Sequence, residues 1–236
     1  MWPAIGLAII LGAARSVDPD AGNISTWWRG IVQSWRRWLL NGLLVFGLGV
    51  LMASPWLMRN WALYGDPLGL SMAMRTIDVR TDPWSWADTT WLLRGWFVSF
   101  WGKFGGAGHI PMPTWIYGLL GLASLISLAG LGINLAPNRR RYALLPMTLL
   151  LIAIIGVGVV MWRYSLIALG TDQGRLLYPA IGALLIVFVA GLLSWVPARF
   201  ERQIAIMLVC LMLALGAYAL IGVIEPAFAQ SGLVSE

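Results

Sequence analysis

Five stretches of this chain, residues 38–58, 114–135, 143–162, 177–197 and 204–225, run apolar with almost no charged side chain between their ends. Each meets the length of about 20 apolar residues that a helix needs to cross a hydrocarbon core roughly 30 Å thick. In lipid the backbone must bond to itself, and a helix does so within one segment. The expectation is an all-α, polytopic transmembrane bundle, read as a single membrane domain over 1–236. Composition excludes a soluble fold: 59% of the 236 residues are hydrophobic and 11% charged, against about 25% charged in an ordinary soluble domain. Too little polar surface is left to face water on all sides. A further apolar stretch, 2–14, is too short to span and reads as a partial N-terminal span. It lacks the basic start of a signal peptide, since Arg15 follows the run.

Charge sets the orientation. Arg29, Arg36 and Arg37 precede the first span, Arg139, Arg140 and Arg141 fill one short loop, and Arg199 and Arg202 another. With five alternating helices these clusters share one side, which the positive-inside rule makes cytoplasmic. The expected location is therefore the cytoplasmic (inner) membrane. The net charge of +6 is thereby explained as topology signalling, and the basic balance does not imply nucleic acid. The lipid bilayer is the expected partner. Trp38, Trp56, Trp61, Trp115, Trp162 and Trp195 lie near the predicted helix ends, where the amphipathic indole prefers to sit.

Two segments read as interfacial. Residues 24–37 set Ile24, Trp27, Trp28, Ile31 and Trp35 at helical spacing, with Arg29, Gln33, Arg36 and Arg37 mostly elsewhere, the pattern of a helix lying on a leaflet. Residues 83–101 carry Trp84, Trp86, Trp91, Trp96 and Trp101, with Asp82 read as the cap. Gly102, Gly105, Gly106 and Gly108 are expected to end this helix in a flexible loop.

The segment 59–113 is the one long stretch outside the spans, and with the loop 163–176 it holds the candidates for chemistry. Arg59 and Asn60 stand where a helix leaves the membrane, at the depth of a phosphate headgroup; a snorkelling anchor followed by a turn is the other reading. Tyr64-Gly65-Asp66-Pro67 has turn chemistry. Arg175 stands at the mouth of another span, either as an anchor or as a second clamp on an anionic lipid. Lys103, the sole lysine, could touch phosphate or simply snorkel. His109 is the sole histidine and Cys210 the sole cysteine, so neither a metal site nor a disulfide is expected, and no cofactor is implied. The aspartates Asp66, Asp78, Asp82, Asp88 and Asp172 form no close acidic pair in sequence. The spans carry no charge of the kind a transporter needs at mid-membrane.

In order along the chain stand Arg59-Asn60 with Tyr64-Gly65-Asp66-Pro67, then Ser99-Phe100-Trp101-Gly102 with Phe104-Gly105, then Gln173-Gly174-Arg175 with Tyr178-Pro179. This set, over roughly residues 40–200, resembles the C-terminal half of bacterial membrane glycosyltransferases of the GT-C superfamily, akin to the protein O-mannosyltransferases and lipid A aminoarabinose transferases. The resemblance implies a polyprenyl-phosphate-linked sugar donor used on the outer face of the membrane. It implies donor-phosphate or loop-positioning roles for Arg59, Asn60, Lys103 and Arg175. The family's catalytic acid lies in the first outward loop, which nothing here matches, so the chain is expected to start in the middle of such a protein and to position a donor without catalysing transfer alone. The alternative is an accessory subunit packed beside other membrane subunits.

Overall fold

A computed structural model describes residues 2–17, 24–105, 110–135 and 142–230. Helices account for nearly all of it. Five of them are long and apolar enough to cross a membrane, as a multi-pass membrane protein requires. The Arg139–Arg141 cluster and His109 lie outside the described residues.

The chain divides into two compact units. The first contains α1 (Trp2–Arg15), α2 (Ile24–Gln33), α3 (Trp35–Tyr64) and α4 (Leu70–Thr76). At 14 residues, α1 is shorter than a span. It packs on α2 where Gly30 meets the backbone of Ala14; a methyl on Gly30 would stand 3.0 Å from the Ala14 carbonyl oxygen. The amphipathic helix expected over 24–37 ends earlier, at Gln33, and Trp35–Arg37 already belong to the spanning α3. Within α3, Pro55 has no N–H to offer the Leu51 carbonyl. The Ser54 hydroxyl donates to that carbonyl instead, at 2.7 Å, so the helix carries a proline without stranding a polar group in lipid. Residues Asp78–Arg80 pair with Ile167–Leu169 of the same unit, through Arg80 N–H to Ile167 O (2.7 Å) and Leu169 N–H to Asp78 O (2.9 Å).

The second unit opens with α5 (Trp86–Gly102) and a two-stranded hairpin, β1 (Lys103–Phe104) with β2 (Ile110–Pro111). Ser85, not Asp82, caps α5. Its hydroxyl accepts from the Asp88 N–H while the Asp88 carboxylate accepts from the Ser85 N–H, a reciprocal capping box. Asp82 lies too far upstream to reach the first free N–H groups of this helix. Of the glycines expected to end this helix, Gly106 and Gly108 lie outside the described residues, and on either side of them Lys103 pairs with Pro111 and Phe104 with Ile110.

The helices α6 (Thr114–Leu135), α7 (Leu144–Ser165), α8 (Ile181–Leu193) and α9 (Glu201–Tyr218) complete the unit, with α10 (Glu225–Gln230) at its end. A tight turn of 3₁₀ helix, Gly174–Ala180, precedes α8. The closest packing is between α6 and α8, which run parallel: the Ser127 hydroxyl donates to Phe188 O (2.8 Å), and one turn further on Gly130 lies against the backbone of Gly191. A methyl on either glycine would overlap a carbonyl oxygen of the facing helix. Small residues allow this approach, and dispersion between the two backbones holds helices together in a solvent as apolar as they are. Between α9 and α10 the chain takes one π-helical stretch, Ala219–Ile224, directly before Pro226, whose ring would otherwise press on the Gly222 carbonyl. The core gathers Met112, Ile116, Leu120 and Ala219, with Phe97, Trp101 and Phe104 packed around them. Large apolar side chains such as Leu122, Leu125, Ile155, Val159 and Leu213 point outward, as lipid-facing surfaces must.

Candidate functional site

In the second unit, Arg94, Lys103 and Asp172 share one cavity beside α5. Its residues Trp91, Arg94, Gly95 and Val98 recur at steps of three, one and three, which places them on one helical face. That face lines a cavity of 460 Å³ together with Lys103, Thr114, Tyr117 and Asp172. Lys103 Nζ stands 3.8 Å from Asp172 Oδ2, and the two side chains are 24% and 20% exposed. The charged groups are thus sheltered yet open to a visitor.

Asp172 is carried by a loop clamped onto α5. Trp96 Nε1 donates to the Thr171 carbonyl at 2.8 Å. The Ser99 hydroxyl lies 3.1 Å from the Asp172 carbonyl and accepts from the Gly174 N–H. Two glycines make the approach possible: a methyl on Gly95 would collide with Asp172, and one on Gly174 would collide with the backbone of Trp96 and Phe100. The other wall is equally fixed. Tyr117, near the start of α6, donates its hydroxyl to Gly102 O (2.5 Å) and accepts from the Met112 N–H (2.9 Å), tying the hairpin to the spanning helix.

The opposite face of α5 is apolar. Trp96, Phe97, Phe100 and Trp101 face Leu128 and Phe188 across a groove of 330 Å³. Its two hydroxyls are already engaged, Ser124 with Leu120 O and Ser127 with Phe188 O, and the rest of its lining is aliphatic or aromatic. One helix therefore separates a charged cavity from a hydrocarbon-like groove.

Of the four residues singled out in the sequence, Lys103 lies in this cavity. Arg175 is exposed on the short turn that leads into α8. Arg59 is exposed on α3, in the first unit. Asn60 is 4% exposed and donates from Nδ2 to the Pro67 carbonyl at 3.3 Å, so it braces the turn after α3. That turn is built as its sequence suggests. Gly65 takes φ 66° and closes α3 onto Trp61 O, and the Asp66 carboxylate accepts from the Ser71 and Leu68 N–H groups at 2.9 and 3.0 Å. Those donors, the Ser71 N–H foremost, hold the Asp66 carboxyl below its ordinary pKa.

Arg94, Tyr117 and Asp172 were not singled out as binding residues by the sequence. The available signal was indirect: Asp172 immediately precedes Gln173-Gly174-Arg175, and Arg94 is the one cation on α5. Among the described residues no three His, Cys, Asp or Glu side chains gather as a metal site. Comparison with protein-family models, curated proteins and solved structures returns no match.

Proposed function

We propose that the chain is the membrane-embedded donor-positioning part of a GT-C-type glycosyltransferase, holding a polyprenyl-phosphate-linked sugar at a helix mouth. The observation that carries this reading is the pairing of two environments on one helix. The cations Arg94 and Lys103 line a sheltered cavity, and an apolar groove of 330 Å³ lies behind them on α5. A phosphate needs the first and a polyprenyl tail needs the second. Asp172, 3.8 Å from Lys103 Nζ, competes with an incoming anion for it. Arg175, two residues before the groove-lining Leu177, is in this reading an outer contact for the same headgroup. The transfer itself calls for a carboxylate that activates the acceptor, supplied in this reading by a region that is not part of this sequence.

The test is direct binding of polyprenyl phosphate to the purified chain in detergent, with phosphatidylglycerol as competitor. Polyprenyl phosphate should win, and Lys103→Ala and Arg175→Ala should each weaken it. No preference over bulk anionic lipid, or no change in any of these variants, overturns the reading. A second reading, an accessory subunit of a larger membrane complex, is favoured by α3, whose side chains Leu43, Leu44, Leu48, Leu51 and Met52 are exposed within its unit. Co-purification of a fixed stoichiometry of other membrane chains distinguishes it.

A further inference from the structure

The first unit carries a second basic feature, apart from the cavity. At the elbow where amphipathic α2 gives way to spanning α3, Ser34 is buried and its N–H bonds to Gly30 O at 2.9 Å. Trp38 Nε1 reaches back to Ile31 O at 3.1 Å, and the Arg37 and Trp38 N–H groups bond to Ser34 O. The junction is therefore hydrogen-bonded on both sides of Ser34. Arg37 locks it further, donating from Nη1 to the Ser16 hydroxyl beyond the end of α1 at 3.0 Å.

Along this elbow Trp28, Val32, Trp35 and Leu39 recur at steps of four, three and four, and all are exposed, Trp28 by 66% and Trp35 by 49%. Arg29 and Arg36 follow the two tryptophans by one residue each, seven positions apart, and are exposed too. The Arg36 guanidinium carbon sits 5.4 Å from the Trp35 ring centroid, which steadies it as a planar donor. The pattern is an apolar stripe with cations along its edge. Indoles settle at the headgroup level, and guanidinium groups take phosphate oxygens in pairs. Over the first 65 residues the acidic side chains are Asp18 and Asp20, on the connection between α1 and α2 that lies outside the described residues, against Arg15, Arg29, Arg36, Arg37 and Arg59.

We propose that this elbow is a binding site for an anionic phospholipid, with Arg29 and Arg36 on its phosphate and Trp28 and Trp35 anchored beside its glycerol backbone. It selects lipids of net negative charge, because a zwitterionic headgroup brings its own cation to the arginines. The site is independent of the donor cavity, and its occupant is a membrane lipid, not free phosphate.

Native mass spectrometry of the full chain, released from micelles holding equal phosphatidylglycerol and phosphatidylcholine, reads the preference directly. Wild type should retain phosphatidylglycerol over phosphatidylcholine. Arg29→Gln with Arg36→Gln should cut that ratio roughly tenfold or more, since each basic side chain near an anionic surface contributes about a factor of five. Arg29→Lys with Arg36→Lys should keep most of it, and added inorganic phosphate should not displace the lipid. Equal retention of both lipids by wild type overturns the proposal. So does an undiminished preference in the glutamine pair, or a preference lost in Lys103→Ala instead. Where the glutamine pair does not fold, the salt dependence of wild type decides: the preference must fall steeply with ionic strength, and a flat response overturns the proposal.

Discussion

Changing Asp172 to asparagine isolates the role of one charge in the cavity while keeping the side chain's shape. Lys103 Nζ and Asp172 Oδ2 are 3.8 Å apart. At an effective dielectric of about 20 that separation corresponds to roughly 4 kcal/mol of attraction. The separation is longer than a charge-assisted hydrogen bond and the cavity admits water, which leaves about 1–2 kcal/mol of net interaction. An incoming phosphate must pull Lys103 away from this carboxylate and also bear its repulsion. Asp172→Asn removes both obstacles, so polyprenyl phosphate should bind more tightly by about 1–2 kcal/mol, roughly five- to thirtyfold in Kd.

The assay is equilibrium binding in detergent near neutral pH and low salt, beside a thermal melt to show that the fold is kept. Lys103→Ala should weaken binding by a comparable factor. In the Lys103→Ala background the gain from Asp172→Asn should shrink by at least half, because the two charges act through each other. Weaker binding in Asp172→Asn with an unchanged melt refutes the reasoning: the carboxylate would then be a direct ligand, for instance to sugar hydroxyls, rather than a competitor. A gain of equal size with Lys103 absent refutes it as well.

Gly191→Leu should separate α6 from α8, since a methyl there already overlaps Ser127; a loss of about 2–4 kcal/mol is expected, of the size seen for overpacked or broken cores, and steric-trapping or thermal denaturation in detergent measures it. Ser54→Ala leaves the Leu51 carbonyl without its donor and should cost about 0.6–1 kcal/mol, a cost that vanishes once Pro55→Ala restores a backbone N–H, as paired melts would reveal. The turn after α3 should loosen in acid. The Asp66 carboxyl titrates below its ordinary value of 3.8, so the stability it adds is present above that value and fades as the pH falls through the lowered one. The protection of the Leu68 and Ser71 amides from hydrogen exchange should therefore be lost only below the ordinary carboxylate range, and Asp66→Asn should remove this dependence.

The spans were legible because hydrophobic run length is a local property and lipid enforces it residue by residue. The same holds for the turn at Tyr64-Gly65-Asp66-Pro67, where glycine and aspartate act on their own neighbours. Boundaries were read less well where a competing local signal stood nearby. Asp82 precedes a proline and looks like a cap, yet Ser85 has the acidic partner three residues on that makes the box reciprocal. Likewise Ser34 divides a segment whose apolar rhythm continues unbroken from α2 into α3, because periodicity records which face is apolar and not where the backbone bends.

The cavity was the least legible part, and the reason is physical. Lys103 and Asp172 are distant in sequence, and neither neighbourhood announces the other. What joins them is the absence of side chains, at Gly95 and Gly174, together with the Ser99 hydroxyl and the Trp96 indole that bond to the incoming backbone. A glycine on a helix reads first as a flaw, worth about 1 kcal/mol of helix stability. On α5 that cost leaves the gap into which the Asp172 loop seats, and so sets which cation the carboxylate meets. Of the four residues that form the clamp, Ser99 and Gly174 line neither the cavity nor the groove. The clamp nevertheless sets where the Asp172 carboxylate stands relative to Lys103, and for that reason the proposed phosphate site depends as much on Gly95 and Gly174 as on its cations.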